Sequence, residues 1–289
     1  MPSERQLAII EKIQQYQAEL ERGMSDKLPS IFKGLADQVI ELTNDLPLDP
    51  KNRAANIRAI IDLKTQIAAV IVNNPEYVAE VRNITNGFKE LKKLSDSYFS
   101  ELIDGFNAKE DLYKEILKAN IETTADKLIG SGIQQNFKNA ITEVLKANNA
   151  GSGNRSQLQK VLREFIEGTP EQKAFLDRYV KQVTSESIMT FSREYNAIIA
   201  EDLNLQYGFY AGTIISDSRP FCVSRAGRYF KKKSVQSWAS LGDWSGRMKG
   251  TTSVTIFSFL GGYHCLHEYY PVSKAQYEVA RRKGLAELR

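Results

Sequence analysis

TIISDSRPFC, residues 213–222, and FSFLGGYHCLHEYYPVS, residues 257–273, decide how this chain is read. Cys222 and Cys265, with His264 and His267, are all the cysteines and histidines of the 289 residues. They share about a fifth of the length, a clustering that marks a site rather than a disulfide framework. Gly261-Gly262 gives the backbone freedom for a tight turn before His264-Cys265, and Pro271 stops the run that follows. The pattern predicts two short extended segments side by side, with the Cys and His residues at their facing ends.

Around this stretch the composition is that of a small sheet. Tyr207 to Ile215 mixes aromatic and β-branched residues with glycines, as a strand does, and Val254 to Leu260 reads as its partner. Basic and aromatic residues, Trp238 and Trp244 among them, fill the loops between. A helix is expected from Ser273, with Arg281, Arg282 and Lys283 at the negative end of its dipole.

Toward the N-terminus the period changes to that of helices. Residues 3–45 carry apolar residues at three- and four-residue steps after a Ser3/Gln6 capping box, and Gly23 and Pro29 are expected to divide them into two pieces. Further helices are expected at 52–72, from Asn74-Pro75 to Phe106, and at 108–148 with a weak point at Gly130-Ser131-Gly132. Asn148 to Asn154 reads as a linker or hinge. A short helix at 155–167 precedes Thr169-Pro170-Glu171-Gln172, whose capping signature is expected to open a strut of some thirty residues. The fold class is therefore mainly α, with an N-terminal long-helix bundle and a small α+β C-terminal module containing a short antiparallel sheet. The domains read as 1–150 helical, 151–204 connecting helices, and 205–289 a basic module.

No run of about 18 apolar residues is present, and the first residues lack the pattern of a secretory leader. The expectation is a soluble protein made in the cytosol, with no membrane partner and its cysteines reduced by default. A Cys222–Cys265 bridge stays open. The formal charge of +4 is uneven: from Leu205 onward thirteen Lys/Arg stand against five Asp/Glu, a net of +8, leaving −4 for the rest. The basic end is the candidate for an anionic partner, or simply a solvated surface.

Three groups of residues could carry chemistry. Cys222, Cys265 and His267 are zinc ligand types, with His264 or Asp217 to complete a tetrahedron; the alternative is a buried thiol pair whose histidines bond to backbone. Asp217 and Arg219 suit a turn pinned by an ion pair, or a contact with a carboxylate or phosphate. Arg225, Arg228, Lys231, Lys232 and Lys233, interleaved with Tyr229 and Phe230, suit phosphate contacts with stacking, or a solvated sheet edge. No paired carboxylates, phosphate loop or Ser/His/Asp order points to an enzyme.

Thr184-Ser-Glu186, Asn196-Ala197, Asp217-x-Arg219-x-x-Cys222, Gly227, and Gly262-x-x-Cys265-x-His267 with Pro271-Val-Ser together resemble the minor head proteins of tailed bacteriophages, the head morphogenesis family, over roughly 180–275. The resemblance implies a structural virion component at the portal vertex that assists head assembly and DNA packaging or delivery. Its partners would be portal and capsid proteins and packaged double-stranded DNA, with several copies around a ring. No cofactor is implied beyond a possible structural zinc. Pro220-Phe221 and Leu266 depart from the family pattern. The alternative is a metal-assisted nuclease or a zinc-stabilised DNA-binding protein.

Overall fold

The computed structural model describes residues 1–48, 51–108, 110–151 and 154–287. The helical periodicity of the first two-thirds becomes α1 (Glu4–Leu42), α2 (Arg53–Asn73), α3 (Pro75–Leu102), α4 (Glu110–Ile129), α5 (Ser131–Ala150), α6 (Arg155–Glu167) and α7 (Asp177–Asp202). Then follow β1 (Tyr207–Ala211), α8 (Pro220–Val223), β2 (Tyr229–Lys231), α9 (Lys232–Ser237), α10 (Ile256–Phe259), β3 (Glu268–Val272) and α11 (Lys274–Arg282). The architecture is mainly α with a small antiparallel sheet near the C-terminus, as the composition predicts.

Four expectations are corrected. α1 is one helix through Gly23 and Pro29. Both breakers face solvent while Met24, Leu28 and Ile31 on the other face are buried, so packing outweighs the lost backbone bond. Thr169 does not open α7. Its Oγ accepts from the amides of Glu171 and Gln172, and Gly168, at φ 84°, pairs with Lys173 as a bridge. The capping chemistry is used up in a closed turn, and the helix starts at Asp177. The Asn148–Asn154 linker is helical as far as Ala150, and Asn149 is buried, accepting from Asn56 at 2.8 Å; residues 152 and 153 lie outside the described residues. Finally, Val254–Leu260 is not a strand. The amide of Thr252 donates to the Thr255 hydroxyl, and the amide of Thr255 to that of Thr252, which turns the chain into α10.

The sheet explains why no further partner was needed. β1 is central, in the order β2-β1-β3, with both neighbours antiparallel. Tyr207 faces Lys231 on one side and Val272 on the other, and Phe209 faces Tyr229 and Tyr270. Both edges of β1 are thus occupied. Gly208 permits this packing, because a Cβ there would come within 2.2 Å of the Tyr269 ring. α11 begins with a full capping box, Ser273 with Gln276, and α1 begins with its counterpart, Ser3 with Gln6.

The chain forms two compact units, neither following the linear division at 150 and 204. One comprises residues 1–20, 86–121 and 185–289. Its helical part is rich in aromatic contacts: Phe88 stacks on Phe191 at 4.7 Å, Tyr98 donates to the Pro271 carbonyl at 2.6 Å, and Tyr195 donates to Asp96 at 2.5 Å. The other comprises 21–85 and 122–184. There Ile60, Ile67 and Ile71 of α2 are buried, as are Ile133, Phe137 and Ile141 of α5. Arg155 at the start of α6 donates to the carbonyls of Thr43 and Leu46, both at 2.8 Å. No helix among the described residues is long and apolar enough to cross a membrane.

The tolerated breakers in α1 lead to a stability prediction. Gly23→Ala meets open space and is expected to stabilise by about 1 kcal/mol, and Pro29→Ala by up to about 3 kcal/mol. Urea denaturation checks both; no gain from either would mean that the helix is interrupted there in solution.

Candidate metal centre

The site is assembled from three short pieces. Arg219 is the N-cap of α8, which carries Cys222 on its buried side. Residues 265–267 run extended into β3, so that Cys265 and His267 point inward and Leu266 points out. The three ligand atoms lie within 4.8 Å of one another, and all three residues are at most 4% exposed. Cys222 Sγ stands 3.7 Å from Cys265 Sγ, and Cys265 Sγ stands 3.9 Å from Nδ1 of His267. At this separation the thiols are free, and this buried group could hold a metal ion.

Backbone and ring close around the group. A Cβ on Gly261 would lie 2.5 Å from Cys222 Sγ and 2.8 Å from Cys265 Sγ, and one on Gly212 would lie 2.5 Å from the His267 ring. Only glycine lets the main chain come so near. The Tyr210 ring stacks on His267 at 5.2 Å, and its hydroxyl donates to Cys222 at 3.6 Å and lies 3.9 Å from Cys265.

The electrostatics are set by Arg193 of α7. Its guanidinium donates to the carbonyls of His267 at 2.8 and 3.0 Å, of Ser258 at 3.1 Å, and of Cys265. The hydrogen bond between the thiols and then burial push Cys222 up; the same bond, with the charge of Arg193, holds Cys265 well below the usual thiol range. Next to the pair, Glu268 is fully buried and accepts from Gln17 at 2.5 Å and Asn196 at 3.3 Å. Burial foremost raises its carboxyl above the ordinary value.

A cleft of about 110 Å³ reaches the three residues, lined also by Asp217, Ser218, Arg219 and His264. His264 is exposed, at φ 55°, and does not join the group as a ligand. Asp217 is exposed, and no ion pair joins it to Arg219 among the described residues. Arg219 instead donates to the carbonyls of Tyr263 at 2.5 Å and Gly261 at 3.5 Å, which removes the expected turn ion pair. A larger apolar cleft of about 440 Å³ runs along α7 past Ala197, Ile198 and Phe257 but contains none of the three ligands.

The basic loop is divided in its use. Arg225 lies 3.9 Å above the Phe221 ring and 4.7 Å above Trp238 and donates to the Phe221 carbonyl, so it is a packing residue rather than a free phosphate contact. Lys232 pairs with Glu201. Arg228, Lys231 and Lys233 are exposed.

Arg193, Tyr210, Gly212 and Glu268 escape a reading based on ligand types. A signal existed for Arg193: it falls in the buried row Met189, Arg193, Asn196, Ala200, where a charge needs a partner. Comparison of the chain with family models, with curated proteins and with solved structures gives no match.

Removing the guanidinium would leave four buried or half-buried donations unmade. Arg193→Met is expected to cost about 3 kcal/mol or more in urea denaturation. A cost under about 1 kcal/mol would show that the 258–267 segment holds its shape without it.

Proposed function

We propose that this chain is a minor head protein of a tailed bacteriophage, a structural component of the virion at the portal vertex, whose C-terminal module is held together by zinc. The observation that carries the reading is that the residues of the family-like motif hold one another in place. Arg219 of the Asp-x-Arg-x-x-Cys segment donates to the carbonyls of Gly261 and Tyr263 beside the Gly-x-x-Cys-x-His segment. Cys222 of the first meets Cys265 of the second. Gly262, at φ 93°, passes so close to the Gly246 carbonyl that a Cβ would overlap it. Gly227, at φ 76°, donates to Tyr210. Pro271 accepts from Tyr98. A motif spent on its own scaffold suits a connector better than a catalyst.

Zinc fits the donors. With zinc–sulfur bonds of about 2.3 Å, two thiolates of a tetrahedron stand about 3.8 Å apart, close to the 3.7 Å between Cys222 and Cys265. The nitrogen of His267 placed beside the sulfurs is Nδ1, 3.9 Å from Cys265 Sγ, and the three donors together are of types that zinc takes. Zinc there would withdraw both thiolates from chemistry and cross-link α8 to the segment before β3. Arg228, Lys231 and Lys233 remain available to DNA phosphates, and the helical faces to portal, capsid and neighbouring copies.

Two measurements test this. Elemental analysis of the purified protein is expected to find about one zinc per chain, with Cys222→Ser and His267→Ala losing both the metal and several kcal/mol of stability. Full stability after chelation would end the zinc reading. Co-purification with a ring-shaped portal is expected to survive salt that strips nucleic acid. Replacing Arg228, Lys231 and Lys233 by Ala should lower the salt slope of DNA binding by about 3. Loss of portal association at moderate salt, or no salt-dependent DNA retention, would remove the corresponding partner.

A further inference from the structure

Structural zinc sites are closed by four protein ligands, whereas sites that keep three bind solvent or a substrate group in the fourth place. Among the described residues the ligand group here has three members. His264, the nearest further candidate in sequence, stays exposed at the cleft in a left-handed backbone conformation. Tyr210, whose hydroxyl lies near both sulfurs, spends its O–H on Cys222. Glu268 is committed to Gln17 and Asn196.

The cleft of about 110 Å³ has room for a few water-sized groups, and it touches Cys222, Cys265 and His267 together. Its other polar lining is Thr213, Asp217, Ser218, Arg219 and His264, side chains of both charges with hydroxyls and an imidazole. Two thiolates and an imidazole would cancel the charge of a divalent ion, and at the rim Asp217 and Arg219 carry opposite charges, so no net charge opposes solvent or a small monoanion there. The apolar residues Ile215 and Leu266, which line the same cleft, are about half exposed. They would shed water from whatever enters.

We infer that the Cys222/Cys265/His267 centre is a three-ligand metal site whose fourth position faces the cleft and takes an exchangeable ligand, solvent or a small monodentate anion. This rests on the metal reading above and gives the site a ligand-binding capacity that a purely structural zinc lacks. The centre then resembles catalytic sites in its coordination, while the motif around it serves the scaffold.

Cobalt(II), which reports its coordination in visible absorption, is the probe, loaded into the full-length protein. Titration with azide or thiocyanate is expected to shift the cobalt bands in a saturable way. His264→Ala is expected to leave the spectrum of the anion-free protein unchanged. Bands that ignore both anions, or that change in His264→Ala without added anion, would overturn the inference in favour of a site closed by protein. Failure to take up cobalt or zinc at all would instead overturn the metal reading itself, and this inference with it.

Discussion

The fork of Arg193 onto the carbonyls of Ser258, Cys265 and His267 is the contact on which the C-terminal module depends. The segment from 257 to 267 has little regular structure beyond α10, so its carbonyls have few ladder partners, and buried carbonyls without partners are expensive. A planar donor with five N–H groups can gather several of them at once, which lysine cannot. The cost is a buried cation. Two acidic groups lie near it: Glu268, whose carboxyl burial raises against the pull of the guanidinium, and Cys265, which the guanidinium helps to lower. The arginine thus fixes the backbone of the segment that carries Cys265 and His267.

The same device recurs through the basic end. Arg219 gathers the carbonyls of Gly261 and Tyr263, Arg225 that of Phe221, and Arg247 those of Ala239, Leu241, Gly242 and Thr251. A region short of strands and long helices uses arginine where other folds use ladders. This changes the meaning of its charge. Much of the +8 that invites a nucleic-acid reading is spent inside the module, and the cations left for a partner are mainly lysines and Arg228.

What the chain discloses as a sequence follows from where side chains repeat. Helices α2, α3 and α6 were legible from their apolar period, and at α3 the cap agrees, Asn74 accepting from the Tyr77 amide; Asn154, read as the end of a linker, caps α6 through the Gln157 amide. The sheet was half legible. Tyr207–Ala211 has the composition of a strand, but its partners, three residues at 229–231 and a run containing Pro271, are too short or too unlike strands to declare themselves. Thr169 and Pro29 misled for opposite reasons, one a helix signal absorbed by a turn, the other a helix breaker absorbed by packing. In the site, Cys222, Cys265 and His267 were visible by residue type, and His264 was overcounted on the same ground. Nothing local in the sequence shows that a glycine backbone at 212 and 261 must seat the ring and the sulfurs, because that need arises only when distant segments meet.

The buried group of Cys222, Cys265 and His267 could hold a metal ion in the interior of the basic module. X-ray absorption at the zinc edge of the purified protein tests it most directly. Zinc held by these residues gives a shell of two sulfurs at about 2.3 Å with two lighter nitrogen or oxygen neighbours at about 2.0–2.2 Å. A first shell without sulfur, or one with three or four sulfurs, would contradict it.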